Sequence, residues 1–193
     1  MNPALAMPEA ASPRRRGRIQ LLLILMVVIG PMMLATAMYK FSFWVPDGRS
    51  YHGALIGNGQ TVVDLGVRDV APGETWQLLV TAPAGCAEDC QQLVYVARQI
   101  HIGLGRDASR ANHALAVTEV SADYAVKLEQ EYPQLKRHGL DGTAYGKATE
   151  DLGGAQLWIV DPHGNLVLRY DATAKGKQIL NDLRHLLKLS NIG

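Results

Sequence analysis

From Ile19 to Tyr39 the chain reads IQLLLILMVVIGPMMLATAMY, 21 residues without a formal charge. As a helix, at 1.5 Å per residue, such a run crosses a hydrocarbon core of about 30 Å. In lipid every backbone N–H and C=O must be satisfied inside the segment, and a helix does this. Gly30 and Pro31 mark an expected kink, which membrane helices tolerate. Residues 19–39 are therefore read as a transmembrane anchor whose partner is the lipid bilayer. The run is longer than the 7–15-residue core of a signal peptide, which favours an uncleaved anchor. The competing reading is cleavage after the Ala35-Thr36-Ala37 stretch.

Charge gives the orientation. Arg14, Arg15, Arg16 and Arg18 stand before the run. Basic residues flanking a first membrane segment stay in the cytoplasm. Residues 1–18 become a cytoplasmic basic tail, and everything after Lys40 lies outside. In a bacterium that is a single-pass protein of the inner membrane with its C-terminal part in the periplasm. The tail's four arginines and Glu9 give +3, so an overall charge of +1 leaves −2 for the rest. No basic field for nucleic acid remains. Apolar residues make up 48% of the chain, enough for a core beyond the anchor.

Phe41, Phe43 and Trp44 suit an interfacial aromatic belt. Residues 40–72, including ALIGNGQTVVDLGVRDVAPGE, read as linker and a short β-hairpin. Regular structure starts near Thr75. TWQLLVTA is a continuous apolar run of strand length, which suggests a strand buried on both faces. After PAG, the positions Cys86, Cys90, Leu93, Ala97, Ile100 and Leu104 alternate in steps of four and three, one face of a helix. HALAVTEV reads as a second strand. Ser121 is placed to cap a helix, ADYAVKLEQEY, closed by Pro133. Residues 134–154 look irregular. AQLWIV and NLVLRY then form an antiparallel hairpin across DPHG, whose Pro162 and Gly164 suit a type I turn. KGKQILNDLRHLLKLS closes the chain as an amphipathic helix. The order β-α-β-α-β-β-α predicts an α/β domain over 73–193, a thioredoxin-like mixed sheet flanked by helices.

The only cysteines, Cys86 and Cys90, fall just past the C-terminal end of the first core strand, where open α/β sheets place their sites. They also open a helix, whose N-terminus favours a thiolate. Spacing of four puts both sulfurs on one helical face, within disulfide reach or convergent on one soft metal ion. Both sulfurs are expected to share an accessible pocket. Zinc would need two further ligands, and no second cysteine pair or close histidine pair supplies them. Copper(I) accepts two or three. The residues leave three readings open: a functional thiol pair, a structural disulfide, or inert buried thiols.

Trp76 to Cys90, followed by QLWIVDPHGNLVLRY, resembles the Sco/SenC family over roughly residues 73–193. That resemblance implies a membrane anchor and a thioredoxin-like domain outside the cytoplasm. It also implies a CxxxC pair serving cytochrome c oxidase, by delivering copper to its dinuclear centre, by reducing cysteines there, or both. On this reading Cys86 and Cys90 are the redox pair and candidate Cu(I) ligands, and the partner is a respiratory oxidase subunit or one of its assembly factors. The enzyme activity implied is at most that of a thiol-disulfide oxidoreductase.

Departures stand out, beginning with a rather short spacing between the CxxxC and DPHG motifs. Gln91 replaces the proline that follows the second cysteine, Gly153 stands where the family has its copper-ligating histidine, and GGAQ replaces the thioredoxin cis-proline region. His138 is the weak candidate for a substitute ligand, while His163 lies at a far hairpin tip and His101 on another stripe. Loss of the imidazole shifts the expectation from copper carriage toward dithiol chemistry, which needs no histidine. A Cu(I) chaperone with an incomplete site and a non-catalytic assembly or scaffold protein with a structural disulfide are the alternatives. GLGRDASRAN follows a helix instead of opening one, so it reads as a helix cap and not as a phosphate loop. Glu88 and Asp89 favour the helix dipole and mildly oppose a thiolate beside them.

Overall fold

The computed structural model describes residues 13–41, 51–70, 73–150 and 152–190. Two compact units divide the chain, Met1–Arg49 and Ser50–Gly193. Among the described residues the first holds the helix α1 (Pro13–Phe41), continuous through Pro31. Gly17–Met38 is long and apolar enough to cross a membrane, and none of it is buried against protein. Thr36 satisfies its hydroxyl within the helix by donating to the Met32 carbonyl at 2.7 Å.

The second unit is a six-stranded sheet. Its strands are β1 (Ala54–Leu55), β2 (Trp76–Ala82), β3 (Ala111–Val117), β4 (Lys136–Gly139), β5 (Gln156–Val160) and β6 (Leu166–Asp171). They lie in the order β1-β6-β5-β2-β3-β4. β3 is parallel to β2 and to β4, whereas β5 is antiparallel to β2 and to β6. The helices are α2 (Glu88–Gly103), α3 (Ala122–Glu131), α4 (Gly142–Thr149) and α5 (Gly176–Leu189), with a 3₁₀ turn at Gly105–Arg110. The expected thioredoxin-like mixed sheet with flanking helices is therefore formed.

Alternation along β2 divides the interior into two cores. Trp76, Leu78, Val80 and Ala82 meet Leu93, Ala97 and Ile100 of α2, Tyr124 and Leu128 of α3, and Ile179, Leu183 and Leu187 of α5. Leu79 points the other way, toward Ala114, Ala116, Trp158, Tyr145 and Val62, Leu65 and Val67. On this second face Thr81, fully buried, bonds both the Trp158 indole and the Tyr145 hydroxyl at 2.9 Å. Removing that hydroxyl would strand two buried polar groups, each costing about 1–3 kcal/mol.

The DPHG turn forms as expected. Asp161 and Gly164 close it through backbone bonds of 2.9 and 3.0 Å, and Gly164 takes φ +88°, a conformation that favours glycine. Two segments differ from expectation. The stretch expected to be irregular contains β4 and α4, with Asp141 capping α4 by accepting from the Thr143 and Ala144 amides. Residues 51–70 form no hairpin of their own and are no mere linker. β1 pairs with β6, Thr61 and Val67 bridge to Asn165 and Leu140, and Val62, Leu65 and Val67 are buried. Three well-spaced apolar side chains find cover on the sheet, and that outweighs the turn-forming glycines between them.

The start of this unit is pinned by a buried carboxylate. Asp182 accepts from the His52 ring at 2.8 Å, the His52 and Gly53 amides, and the Tyr170 hydroxyl at 2.7 Å. A side chain at Gly53 would meet the Tyr170 ring at 2.6 Å, so only glycine fits. Burial, the largest single influence, pushes the Asp182 carboxyl up. The hydrogen bonds from His52, Tyr170 and Gly53 together outweigh it, and the net shift is downward.

On the same face of the sheet, under α2, His113, 3% exposed, lies with its ring centroid 5.1 Å from that of His101. Burial first, then the charges of His101 and Arg98, bring the His113 pKa down to about 4. Between pH 6.5 and 4 the unfolded chain therefore binds this proton more readily than the folded one. The contribution is complete above pH 6.5 and is lost on acidification, by about 3 kcal/mol. Asp182, with a lowered pKa, loses its contribution only below the ordinary carboxylate range. Urea unfolding of the full chain should show stability falling from pH 6.5 to 4, and His113→Leu should flatten that slope while leaving the later acid loss.

Candidate functional site

β2 delivers the chain to the site as a strand buried on both faces, which fixes where Ala82 ends. Pro83 follows, and its carbonyl accepts from the Thr118 hydroxyl at 2.9 Å, tying this loop to the one after β3. Gly85 turns the chain at φ +88°, and a Cβ there would lie 3.6 Å from the Glu119 carbonyl. Ala87 caps α2 from an extended conformation without a side-chain bond, so the first helical amides carry no side-chain acceptor from it.

Cys86 and Cys90 are joined in a disulfide, with Cα atoms 5.1 Å apart. Cys86 lies before the helix and Cys90 at its third residue, so the bond spans the helix start. The two cysteines are unequal. Cys90 is 1% exposed and belongs to the core with Leu93, Val94 and Ala97. Cys86 is half-buried and packs only at the edge of that cluster. The expectation of one accessible pocket shared by both sulfurs is thus met on the Cys86 side alone. The cause is the helical stripe itself: the spacing that aligns Cys90 with Leu93 and Ala97 drives it inward.

Gln91 does more than replace a proline. Its side-chain amide donates to the Cys86 carbonyl at 3.4 Å, and its backbone amide to the Ala87 carbonyl at 3.0 Å. The loop is thereby folded back on the helix. Along the strand, loop and first turns of α2 the charges are of one sign. Glu88 and Asp89 occupy the first turn of α2, Glu119 lies in the adjoining loop, and no lysine or arginine falls between residues 76 and 97.

The structure removes His138 from the site. His138 is in register with Ala116, and neighbours in register share a face. Ala116 belongs to the core with Trp158 and Tyr145, while Cys90 belongs to the core with α2 and α5. The sheet lies between them. Burial holds the His138 pKa below the usual range, against the opposing influence of Asp69. The other histidines are engaged elsewhere or distant. His52 bonds Asp182, His101 contacts the Ala108 carbonyl and the His113 ring, and His185 packs on Tyr51. His163 sits in the turn after Val160, which pairs with Gln77 at the opposite end of β2 from the cysteines. Among the described residues no three His, Cys, Asp or Glu side chains group to hold a metal ion. Sequence reasoning missed Thr81 and Glu119, because their roles rest on strand register and on loops that meet only in the fold.

A disulfide at the end of a central parallel strand, on a mixed sheet with helices on both faces, defines a thioredoxin-like protein, here following a membrane-span-like helix. The chain belongs to the family described as transmembrane-like, thioredoxin-like: the model of its C-terminal domain matches residues 76–190. The model of the transmembrane-like N-terminal domain matches residues 12–42. No curated protein matches the sequence. Among solved structures, yeast Sco1 with copper bound is similar at 11% identity and a TM-score of 0.49, covering 61% of this chain and 81% of that one. Arabidopsis thaliana ScoI with copper bound gives 8% identity and 0.48, over 62% and 88%. A thiol:disulfide interchange protein DsbE from Chlorobium tepidum gives 13% and 0.45, over 62% and 83%.

The five-residue ring closed by the disulfide contributes about 2 kcal/mol by the loop-entropy relation. Reducing the full chain should lower its unfolding free energy by that amount without unfolding it at 25 °C. In the reduced protein iodoacetamide should label Cys86 first and Cys90 only on denaturation.

Proposed function

We propose that this is a membrane-anchored thiol-disulfide protein whose Cys86–Cys90 pair exchanges with a client outside the cytoplasm, in a bacterium the periplasm. The observation that carries the reading is the asymmetry of the pair: one cysteine half-buried, its partner sealed at a helix start. Exchange needs this arrangement and no third group.

In the reduced form the Cys86 thiolate attacks a client disulfide. A Cys86–client S–S bond forms, the client bond breaks, and the departing client sulfur takes a proton. Cys90, deprotonated as it attacks, then bonds to Cys86 Sγ and expels the client's second thiol. The client gains two electrons and two protons, and the pair is left oxidised, to be restored by an external dithiol. Partial water access and the N-terminal amides of α2 stabilise charge at Cys86. Burial disfavours it at Cys90 until the mixed disulfide forms.

The arginines at 14–16 and 18 support the orientation, with residues 1–18 inside and the disulfide outside. The CxxxC pair, the DPHG hairpin and the anchor together support a client in respiratory oxidase assembly, an oxidase subunit or one of its assembly factors. Cu(I) carried as cargo is the second reading. It is favoured by two sulfurs whose Cα atoms stand 5.1 Å apart, and weakened by the sheet that separates them from His138. A stoichiometric Cu(I) titration that survives His138→Ala but not either Cys→Ser change supports it.

Full-length Cys90→Ser should accumulate a mixed disulfide through Cys86, and Cys86→Ser none. With its acidic surroundings, the oxidised pair should react faster with cysteamine than with thioglycolate at equal thiolate concentration, and Glu88→Gln with Asp89→Asn should narrow the difference. Failure of Cys90→Ser to trap any thiol would leave the bond a structural staple.

A further inference from the structure

The sides of α2 and α5 that turn away from the sheet form one surface. A Cβ at Gly176 would lie 3.2 Å from Val96, and one at Gly103 3.2 Å from Leu180, so the helices lie close and run the same way. Arg184 reaches across and donates to the Gly103 carbonyl at 2.6 Å, one residue past Ile102. Lys188 follows Arg184 by four residues, on the same stripe. Two large apolar side chains are left in solvent here, Ile102 at 58% and Leu189 at 66% exposure.

The formal charge of this face is positive. Lys177, Arg184 and Lys188 are exposed, and none forms an ion pair among the described residues. The one carboxylate of α5, Asp182, is buried and bonded to His52 and Tyr170. From Gln91 to Gly105 there is no carboxylate at all. Two exposed acids border the face, Asp171, bonded to Thr173, and Asp107 in the 3₁₀ turn. Lys175 and Arg106 stand against these two, which leaves the three α5 cations in excess. Glu129 and Glu131 belong to α3. That helix meets α2 at Arg98, whose guanidinium lies over the Tyr132 ring, on a different side from Val96 and Gly103. Glu88 and Asp89 lie at the far end of α2, beside the disulfide.

The tether selects the occupant. Tyr51 packs its ring on His185, and His52 and Gly53 bond Asp182, so the chain enters this unit along α5. Residues 42–50 connect that point to the apolar helix α1, and the steps from Phe41 to Tyr51 reach at most about 35 Å. A bilayer surface is therefore the partner offered to α5 at high effective concentration. Cations interleaved with exposed aliphatic side chains suit the headgroup region of such a surface.

We propose that the outer face of α5, with the C-terminal end of α2, docks on anionic phospholipid headgroups. Arg184 and Lys188 meet lipid phosphates, and Ile102 and Leu189 enter the headgroup layer. The acidic disulfide end, with Glu88, Asp89 and Glu119, is repelled by the same surface, which keeps Cys86 turned to solvent. Docking does not depend on whether the cysteines exchange, and its readout involves neither of them.

The test uses the methyl-labelled full chain in phosphatidylcholine nanodiscs, with or without phosphatidylglycerol, carrying a trace of lipid with a nitroxide on its headgroup. In the anionic discs the Ile102 and Leu189 methyl NMR signals should be lost, while that of Val126, 53% exposed on α3, persists. High salt should restore them, since it screens exposed charges and needs no variant. Arg184→Glu with Lys188→Glu should restore them too. Lys177→Glu with Lys188→Glu, which leaves the bond to Gly103 intact, should do the same. Retention of both signals in anionic discs would leave the face to an acidic protein partner and overturn the proposal. Equal loss at Val126, equal loss in pure phosphatidylcholine, or insensitivity to salt and to both charge reversals would also overturn it.

Discussion

Burial of β2 on both faces is the constraint on which the rest depends. Five consecutive residues, Leu78 to Ala82, are closed to solvent, and between them they hold together α2, α3 and α5 on one side and α4 with residues 61–70 on the other. At about 25 cal/mol per Å² of apolar surface, such a strand is worth more than any single polar contact in the molecule. Its C-terminal end is consequently a fixed point. The cysteine loop inherits that rigidity, and the Thr81 network with Trp158 and Tyr145 fastens the strand one residue before it ends.

From that fixed point the chemistry of the pair follows by geometry. A helix begun immediately after a buried strand must turn one stripe to the core. Cys90 falls on that stripe and Cys86 precedes it, so the sequence spacing converts into unequal access. The same two faces explain what does not happen. A histidine in a paired strand is on one side of the sheet or the other, and His138, third in β4, is on the side away from the cysteines.

Much of this was legible in the residues. The anchor, β2, α2, the hairpin and α5 all announce themselves through long apolar periods, and the disulfide position follows from their order. β4 and α4 did not, for a physical reason. KRHG is a polar edge strand with most of its side chains exposed, and GTAYGKAT has two glycines and only Tyr145 and Thr149 buried. Such elements exist because neighbours hold them, and a local pattern cannot show that. Asp182 reads as an ordinary polar position of an amphipathic helix until His52, Gly53 and Tyr170 converge on it from elsewhere in the chain. The stripe put Cys86 and Cys90 on one face and was read as a shared accessible pocket, so neither the burial of Cys90 nor the acidic neighbour Glu119 was legible before the fold.

The most direct measurement is the reduction potential of Cys86–Cys90 in the full-length protein, from equilibration against defined dithiol buffers. An exchanging pair should lie above about −300 mV, within reach of extracytoplasmic thiol partners. A potential well below that value would make the bond a permanent staple and contradict the account.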